Sequence, residues 1–142
     1  MAPTAEFDHF VTAQEHVYGR VLLELTEGRK QTHWMWFIFP QLRGLGHSAM
    51  AERYALDSVA QAERYVAHGV LGPRLVACTQ LVLAIPNPDP QAIFGYPDSM
   101  KFRSSMTLFS QCSHGREPFS EAIDRCFRGV PDETTLRLLR QL

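Results

Sequence analysis

The sequence has few cysteines and no long hydrophobic run. Only three cysteines occur in 142 residues, and none forms a CxxC pair. Because disulfide scaffolds need paired cysteines, we expect free, buried thiols in a reducing compartment. The longest apolar run, residues 34–39, is far shorter than the roughly 18 residues of a membrane-spanning helix. Residues 1–6 lack the basic and apolar regions of a secretory signal. These absences predict a cytoplasmic protein without a membrane segment.

An excess of charge of either sign is also missing. The chain has 14 basic and 15 acidic residues, which gives a formal net charge of −1. Proteins that bind nucleic acids in general carry a strong positive excess, so we predict no such binding here. A small anionic ligand remains compatible with this balance, because a pocket needs only a few local cations.

Familiar catalytic and metal-binding motifs do not occur either. The sequence contains no GxSxG, HExxH or P-loop pattern and no dinucleotide-binding glycine pattern. Cys112 and His114 form an isolated pair, whereas a structural zinc site needs four ligands. We therefore predict neither a bound metal nor a cofactor.

Proline, glycine and capping residues divide the chain into helix-sized pieces. Apolar residues recur three and four positions apart in most of these pieces, which predicts helices. The apolar residues 75–85 predict a central buried helix, and residues 49–56 predict a short one. Residues 33–41 are strand-like by propensity but have no partner strand, so we expect a short helical turn followed by extended chain. The prediction is one all-α domain, residues 1–142, of about seven to nine short helices.

The least ordinary chemistry lies in residues 28–48. Arg29, Lys30 and His33 cluster just after a predicted helix. Arginine and lysine bind phosphate or carboxylate groups, and histidine transfers protons near neutral pH. The alternative is that Arg29 and Lys30 are solvated charges that stabilise the C-terminal end of the helix.

Both tryptophans of the chain, Trp34 and Trp36, lie in the same segment. Indole rings beside cations are what a site needs in order to stack a base and hold a phosphate, although core packing is the alternative. Gly44, Gly46 and Ser48 precede a predicted helix, where glycines allow close backbone approach and backbone N–H groups bind anions. The alternative at these three residues is a plain turn.

A second polar cluster lies in residues 98–105. Asp98 and Lys101 are neighbours on a helix, and Lys101 is also a neighbour of Ser104 and Ser105. This face is suited to bringing a carboxylate and a cation to a pocket. The alternative is an exposed ion pair next to small residues that let helices pack closely.

Several strings resemble the signature of the bacterial domain-of-unknown-function family 1810. They are Gly28-Arg29-Lys30, His33-Trp34-Met35-Trp36-Phe37-Ile38-Phe39-Pro40-Gln41, and Gly44-Leu45-Gly46 with Ser48. The likeness extends over nearly the whole chain, through Ala51, Tyr54, Leu71, Gly72, Arg74, Leu75, Ile93, Phe94, Gly95, Lys101, Ser104 to Phe109, Gly129 and Asp132. Phe102 departs from the family pattern, which usually has a smaller aliphatic residue there.

This resemblance implies a compact all-helical domain and says little about activity. Members of the family are sometimes labelled calpastatin. That label conflicts with the sequence, because calpastatin-like inhibitors are disordered and polar, whereas this chain has the apolar periodicity of a folded domain. A fainter likeness to small helical domains that process ADP-ribose derivatives favours a nucleotide-like ligand by analogy.

The first hypothesis is therefore an enzyme or sensor for a small phosphate-bearing ligand, a nucleotide or an ADP-ribose derivative. The predicted catalytic residues are His33, Lys30 and Asp98, with Glu27 as the other carboxylate able to activate water. The predicted ligand-binding residues are Arg29, Trp34, Trp36, Gln41, Gly44, Gly46, Ser48, Tyr54, Lys101, Ser104 and Ser105.

The second hypothesis is a non-enzymatic protein-interaction module, of a defence or toxin–antitoxin type. In that case residues 33–41 are core packing, and Arg29, Lys30 and Arg43 belong to a binding face. A third hypothesis is that the segment organises a homodimer, because aromatic residues and arginine are enriched at interfaces. Whether the chain is an enzyme does not follow from the sequence.

Overall fold

The computed structural model describes residues 3–113 and 116–142, so that His114 of the Cys112–His114 pair lies outside the described residues. The chain begins with a 3₁₀ helix, Pro3–Phe7. In the described residues it then forms ten α-helices: α1 Asp8–Glu15, α2 Tyr18–Thr26, α3 Met35–Ile38, α4 Ala49–Arg53, α5 Val59–Ala67, α6 Leu71–Leu83, α7 Pro90–Phe94, α8 Asp98–Ser110, α9 Phe119–Phe127 and α10 Glu133–Arg140. The prediction of an all-α fold is confirmed.

Side-chain caps begin four of these helices. The side chains of Ser48, Ser58, Asp89 and Asp132 accept hydrogen bonds from backbone N–H groups in the first turns of α4, α5, α7 and α10. Such a cap satisfies an otherwise unpaired donor and is typically worth about 1 kcal/mol. These caps are local signals, so the beginnings of these four helices depend on residues that are close together in the sequence.

The signature segment runs through the middle of the core. Trp34 and Phe39 are fully buried, and Met35, Phe37 and Ile38 are at most 6% exposed. The ring of Phe39 lies edge-on to the ring of Phe102, with 5.0 Å between their centroids. Most of the aromatic string therefore packs in the core.

Phe102 fills the space between two other core rings. Its ring stacks on that of Phe94 at 4.7 Å and contacts the edge of Phe39. The residue that departs from the family pattern is thus a fully buried part of the core, and it lies on α8 next to Lys101.

Helix α8 is buried along most of its length. Nine of its residues are buried, against seven in α6, which the sequence predicts as the central helix. The difference arises because small polar residues of α8 pack inward and bond to their own helix. Ser104 and Thr107 donate to the carbonyl oxygens four residues earlier, at 3.0 and 2.8 Å. Hydropathy alone does not identify such a helix as buried.

Residues 49–56 do not form the single helix that the sequence predicts. Helix α4 ends at Arg53, and Leu56 pairs instead with Leu42 in an isolated parallel bridge. The Leu56 N–H donates to Gln41 O at 2.9 Å, and the Arg43 N–H donates to Leu56 O at 2.8 Å. This bridge fixes the position of the extended chain after α3 and of the loop that leads from it to Ser48.

In the described part of the chain, no helix by itself has both the length and the apolar character needed to cross a membrane. Helices α5 and α6 meet that criterion only when they are joined across a bend of 92°.

Candidate functional site

One buried carboxylate, that of Glu24, organises the loop between α2 and α3. Its Oε1 accepts hydrogen bonds from the backbone N–H of Gln31 at 2.8 Å, the backbone N–H of Thr32 at 3.1 Å and the Trp34 indole N–H at 2.9 Å. Its Oε2 accepts from the Thr32 hydroxyl at 2.7 Å and from Arg20 at 3.0 Å. Five donors therefore hold this loop against the end of α2.

These donors also set the charge state of Glu24. Burial alone would raise the pKa of this carboxyl, but the hydrogen bonds from Gln31, Thr32 and Trp34 outweigh burial and lower the pKa from 4.5 to about 2. Glu24 is thus ionised at neutral pH although only 2% of it is exposed.

Lys30 lies in this ordered loop and points into the protein. Its backbone N–H donates to Ile93 O at 2.7 Å, and only 7% of its side chain is exposed. The ammonium lies 2.8 Å from the Asp98 carboxylate and 5.2 Å from the centroid of the Trp34 ring. A buried cation is thus held by one carboxylate and one aromatic face.

Asp98 contacts a second lysine as well. The Lys101 ammonium is 3.3 Å from its other oxygen, and the same ammonium lies 4.7 Å from the centroid of the Trp36 ring. Lys30 and Lys101 are the two lysines of the whole sequence, which otherwise uses arginine as its strong base. We refer to Lys30, Asp98 and Lys101 as the Lys–Asp–Lys cluster.

A cleft of about 560 Å³ opens beside this cluster. We call it the Trp36–Lys101 cleft. Among the described residues, its lining consists of Trp36, Gln41, Leu45, Gly46, His47, Ser48, Ala51, Pro97, Met100, Lys101, Ser104, Asp132 and Thr134. The volume lies in the range of pockets that bind small molecules.

The polar groups of the cleft stand on different elements. Lys101 and Ser104 project from α8, Gln41 and Ser48 come from the loop between α3 and α4, and Asp132 lies at the start of α10. Half-buried Lys101, with 22% of its side chain exposed, is the lysine that reaches the opening. The arrangement offers a cation, hydroxyls, an amide and a carboxylate around one partly apolar hollow.

A comparison with models of known protein families identifies the family of this chain. The model of the family described as "Protein of unknown function (DUF1810)" matches residues 4–139. The chain belongs to the DUF1810 family. A crystal structure of the conserved hypothetical protein Rv1873 from Mycobacterium tuberculosis is similar, with 44% sequence identity, 95% of this chain and 96% of that chain covered, and a TM-score of 0.92. No curated protein matches the chain.

In this DUF1810 chain, six of the predicted ligand-binding residues meet in the cleft. They are Trp36, Gln41, Gly46, Ser48, Lys101 and Ser104. The predicted catalytic residues Lys30 and Asp98 are outside this lining; Asp98 forms ion pairs with both Lys101 and Lys30. The fold thus brings together residues that are more than 60 positions apart in the sequence, such as Trp36 and Lys101.

Three predicted ligand-binding residues lie in the core of the DUF1810 domain. Trp34 is fully buried and its indole N–H is bonded to Glu24, so its ring faces no ligand. Tyr54 is 7% exposed and packs between aromatic rings such as those of Phe10 and Phe37. Ser105 is fully buried on α8. We withdraw these three from the candidate site.

The remaining predicted residues lie at the surface outside the lining. Arg29 and His33 are exposed, and His33 is thus not placed to act on a molecule in the cleft. Gly44 has a φ of +105°, a conformation that favours glycine, and it lies near Leu138. Gly44 therefore forms part of the turn that precedes the lining residues Leu45 and Gly46 in the sequence.

Sequence reasoning missed Glu24 and the cleft residues His47, Asp132 and Thr134. The sequence does indicate that Glu24 is buried, because its spacing places it on the same helical face as the apolar residues Val21 and Leu25. In the sequence, Asp132 stands out only as part of the family resemblance and as a residue type that caps helices, and nothing local indicates that α10 begins beside α8.

Neither a reactive cysteine nor a cluster of metal-binding side chains is found among the described residues. Burial raises the pKa of Cys78 to about 12 and the pKa values of Cys112 and Cys126 to about 11, so these free thiols stay protonated at neutral pH. Within the described residues, His, Cys, Asp and Glu side chains form no group of three or more that could hold a metal ion.

Proposed function

We propose that this chain binds a small phosphate-bearing ligand, of the size of a nucleotide or an ADP-ribose derivative, in the Trp36–Lys101 cleft. One observation carries the proposal: the Lys–Asp–Lys cluster holds two ammonium groups against a single carboxylate. The cluster therefore has an excess of one positive charge.

The burial of Lys30 makes this excess charge energetically costly in the absence of a bound anion. A buried charge is costly unless it is paired, and Asp98 is shared between both lysines, so the pairing is complete for neither. Lys101 is the member that reaches the cleft, and an anion bound there would balance the cluster. The low polarity around the buried lysine strengthens that attraction relative to a surface site.

The shape of the cleft supports a ligand larger than a bare anion. Its volume exceeds what inorganic phosphate needs, and the Trp36 ring and Gln41 amide line it next to Lys101. An indole face and a side-chain amide are suited to a flat heterocycle. Because His33, the predicted proton-transferring residue, lies outside the lining, we propose ligand binding and do not propose a reaction.

A cytoplasmic location of the protein stays a prediction.

Isothermal titration calorimetry with pyrophosphate, AMP and ADP-ribose tests the proposal, using the wild type and Lys101→Met. We expect saturable binding of at least one of these compounds, weakened about tenfold or more by the loss of the ammonium, because charge-assisted contacts contribute at least 1.4 kcal/mol. Arg140→Met, which removes an exposed cation of α10 outside the lining, is the matched control and should bind like the wild type.

Absence of binding for all three compounds, in protein shown to be folded, would refute the proposal. Equal losses in the Lys101→Met and Arg140→Met variants would also refute it, because the attraction would then reflect net charge and not the cleft.

A protein-interaction role is the second candidate, favoured by exposed apolar side chains at Met100, which lines the cleft, and at Tyr96 and Met50, which are next in sequence to the lining residues Pro97 and Ala51. Tyr96 is 77% exposed, and Met50 and Met100 are 37% and 41% exposed. Exposed apolar groups of this kind occur at association sites. Light scattering of the wild type and of Tyr96→Ser tests the homodimer form of this candidate: a dimer that the substitution dissociates supports it, and a monomer at all concentrations contradicts it.

A further inference from the structure

A carboxylate lines the Trp36–Lys101 cleft together with Lys101. The Oδ2 atom of Asp132 accepts the backbone N–H of Thr135 at 2.9 Å and its hydroxyl at 2.6 Å, as the cap of α10. Its Oδ1 atom accepts no hydrogen bond from the residues that the structure describes. One oxygen of a cleft-lining carboxylate is therefore available to a ligand.

The position of Asp132 relative to Lys101 is fixed through α8. The Asp132 N–H donates to Thr107 Oγ1 at 2.8 Å, and Arg103 Nε donates to Val130 O at 2.9 Å. Thr107 follows Lys101 by six residues, which corresponds to roughly 9 Å along the helix axis. The backbone of Asp132 is thus anchored to α8, about two turns further along the helix than the residue that carries the cation.

A second anionic end on the ligand would be repelled by Asp132, so the ligand needs a hydrogen-bond donor at this place. Two residues with neutral hydroxyls, Thr134 and Ser104, also line the cleft. Hydroxyl groups match this neighbourhood, because a carboxylate accepts from them and the Ser104 hydroxyl, which already donates to Met100 O at 3.0 Å, can also accept from them.

We propose that the cleft is selective for ribosyl phosphates, with the phosphate on Lys101 and the vicinal 2′ and 3′ hydroxyls of the ribose on Asp132. This inference rests on the proposed function and narrows its ligand class. Trp36 and Gln41 then face the part of the ligand that carries the base.

The test compares the affinities of AMP and 2′-deoxy-AMP for the wild type and for Asp132→Asn, by calorimetry. The expected result is that the wild type binds AMP about tenfold more tightly than 2′-deoxy-AMP, because a charge-assisted hydrogen bond is lost with the hydroxyl. In D132N we expect this ratio to fall below about two, while pyrophosphate binds at least as tightly as before.

Asparagine caps helices as well as aspartate does, so D132N should remain folded. Asp132→Ser, which also retains a capping oxygen, is the second variant, and circular dichroism verifies the fold of both. The matched control is Asp89→Asn, which alters the cap of α7 away from the cleft. We expect D89N to keep the wild-type preference for AMP.

Equal affinities of the wild type for AMP and 2′-deoxy-AMP would overturn this inference. Tighter binding of phosphoethanolamine than of AMP, abolished in D132N, would also overturn it, because Asp132 would then recognise an ammonium group. In both cases pyrophosphate binding that depends on Lys101 would leave the proposed function intact, whereas no binding of any phosphate compound would refute both.

Discussion

Glu24 shows what a single residue does for the candidate site. Its carboxylate collects two backbone N–H groups, a hydroxyl, an indole N–H and the guanidinium of Arg20. Lys30 directly precedes the first of these anchored amides, so Glu24 positions the lysine that pairs with Asp98. The residue acts through other residues and does not line the cleft.

Replacing Glu24 with glutamine should lower the free energy of unfolding at pH 7 by about 3 kcal/mol, because buried donors lose a charged acceptor. Urea unfolding followed by tryptophan fluorescence measures this change. Glu27→Gln, an exposed position at the end of the same helix, is the control and should change stability by less than about 0.5 kcal/mol.

The pH dependence of stability provides an independent check on Glu24. Folding lowers its pKa from 4.5 to about 2, so its stabilising contribution is complete above about pH 5 and is lost as the pH falls toward 2. The expected loss is about 3 kcal/mol. Glu24→Gln should lack this component, and an acid unfolding profile as steep as that of the wild type would contradict the account.

At the scale of elements, the Lys–Asp–Lys cluster joins the loop before α3 to the first turn of α8. Asp98→Asn should destabilise the fold by about 3 kcal/mol, because it leaves the buried ammonium of Lys30 without its carboxylate. The double variant Lys30→Met with Asp98→Asn should be more stable than Asp98→Asn alone. Urea unfolding of the four proteins of this mutant cycle measures the coupling.

An exposed ion pair provides the contrast for that cycle. Asp57 and Arg43 lie 2.6 Å apart with at least half of each side chain exposed, so Asp57→Asn should cost less than about 1 kcal/mol. A loss at Asp98 no larger than the loss at Asp57 would show that the cluster is not a buried charge system.

The contact between α5 and α6 depends on one glycine. A Cβ atom at Gly72 would overlap the carbonyl oxygen of Val66, so Gly72→Ala should destabilise the protein by about 3 kcal/mol, since overpacking forces the backbone apart. Gly69→Ala, where the added atom meets nothing within 4 Å, is the control. Thermal unfolding compares the two, and similar midpoints would contradict the close helix contact.

For the whole molecule, the sequence predicts the fold better than the site. Helix starts at Ser58, Asp89 and Asp132 depend on residues next to them in the chain, and apolar spacing is equally local. The site depends on distant residues: the neighbours of Trp36 include Lys101, and those of Asp132 include Thr107. No local pattern indicates that Trp36 faces the cleft while Trp34 faces Glu24.

The same limit explains α8. A helix with serine at positions 104, 105 and 110 has little apolar periodicity, yet it is buried because its small side chains let neighbouring helices approach. The hydroxyls of Ser104 and Ser110 bond to their own backbone, whereas the buried Ser105 hydroxyl has no hydrogen-bond partner among the described residues. The sequence identifies Lys101 and Ser104 as site candidates, but the cleft that they line together with Asp132 and Thr134 follows only from the packing of the complete chain.

The presence of only two lysines allows a direct test of the central claim. In protein labelled with ¹⁵N-lysine, two side-chain ammonium signals are expected, and Lys101→Arg assigns them. Titration with pyrophosphate should shift the Lys101 signal strongly and saturably, and the Lys30 signal less. If neither signal moves in folded protein at millimolar pyrophosphate, the excess positive charge of the cluster does not bind phosphate, and the account is contradicted.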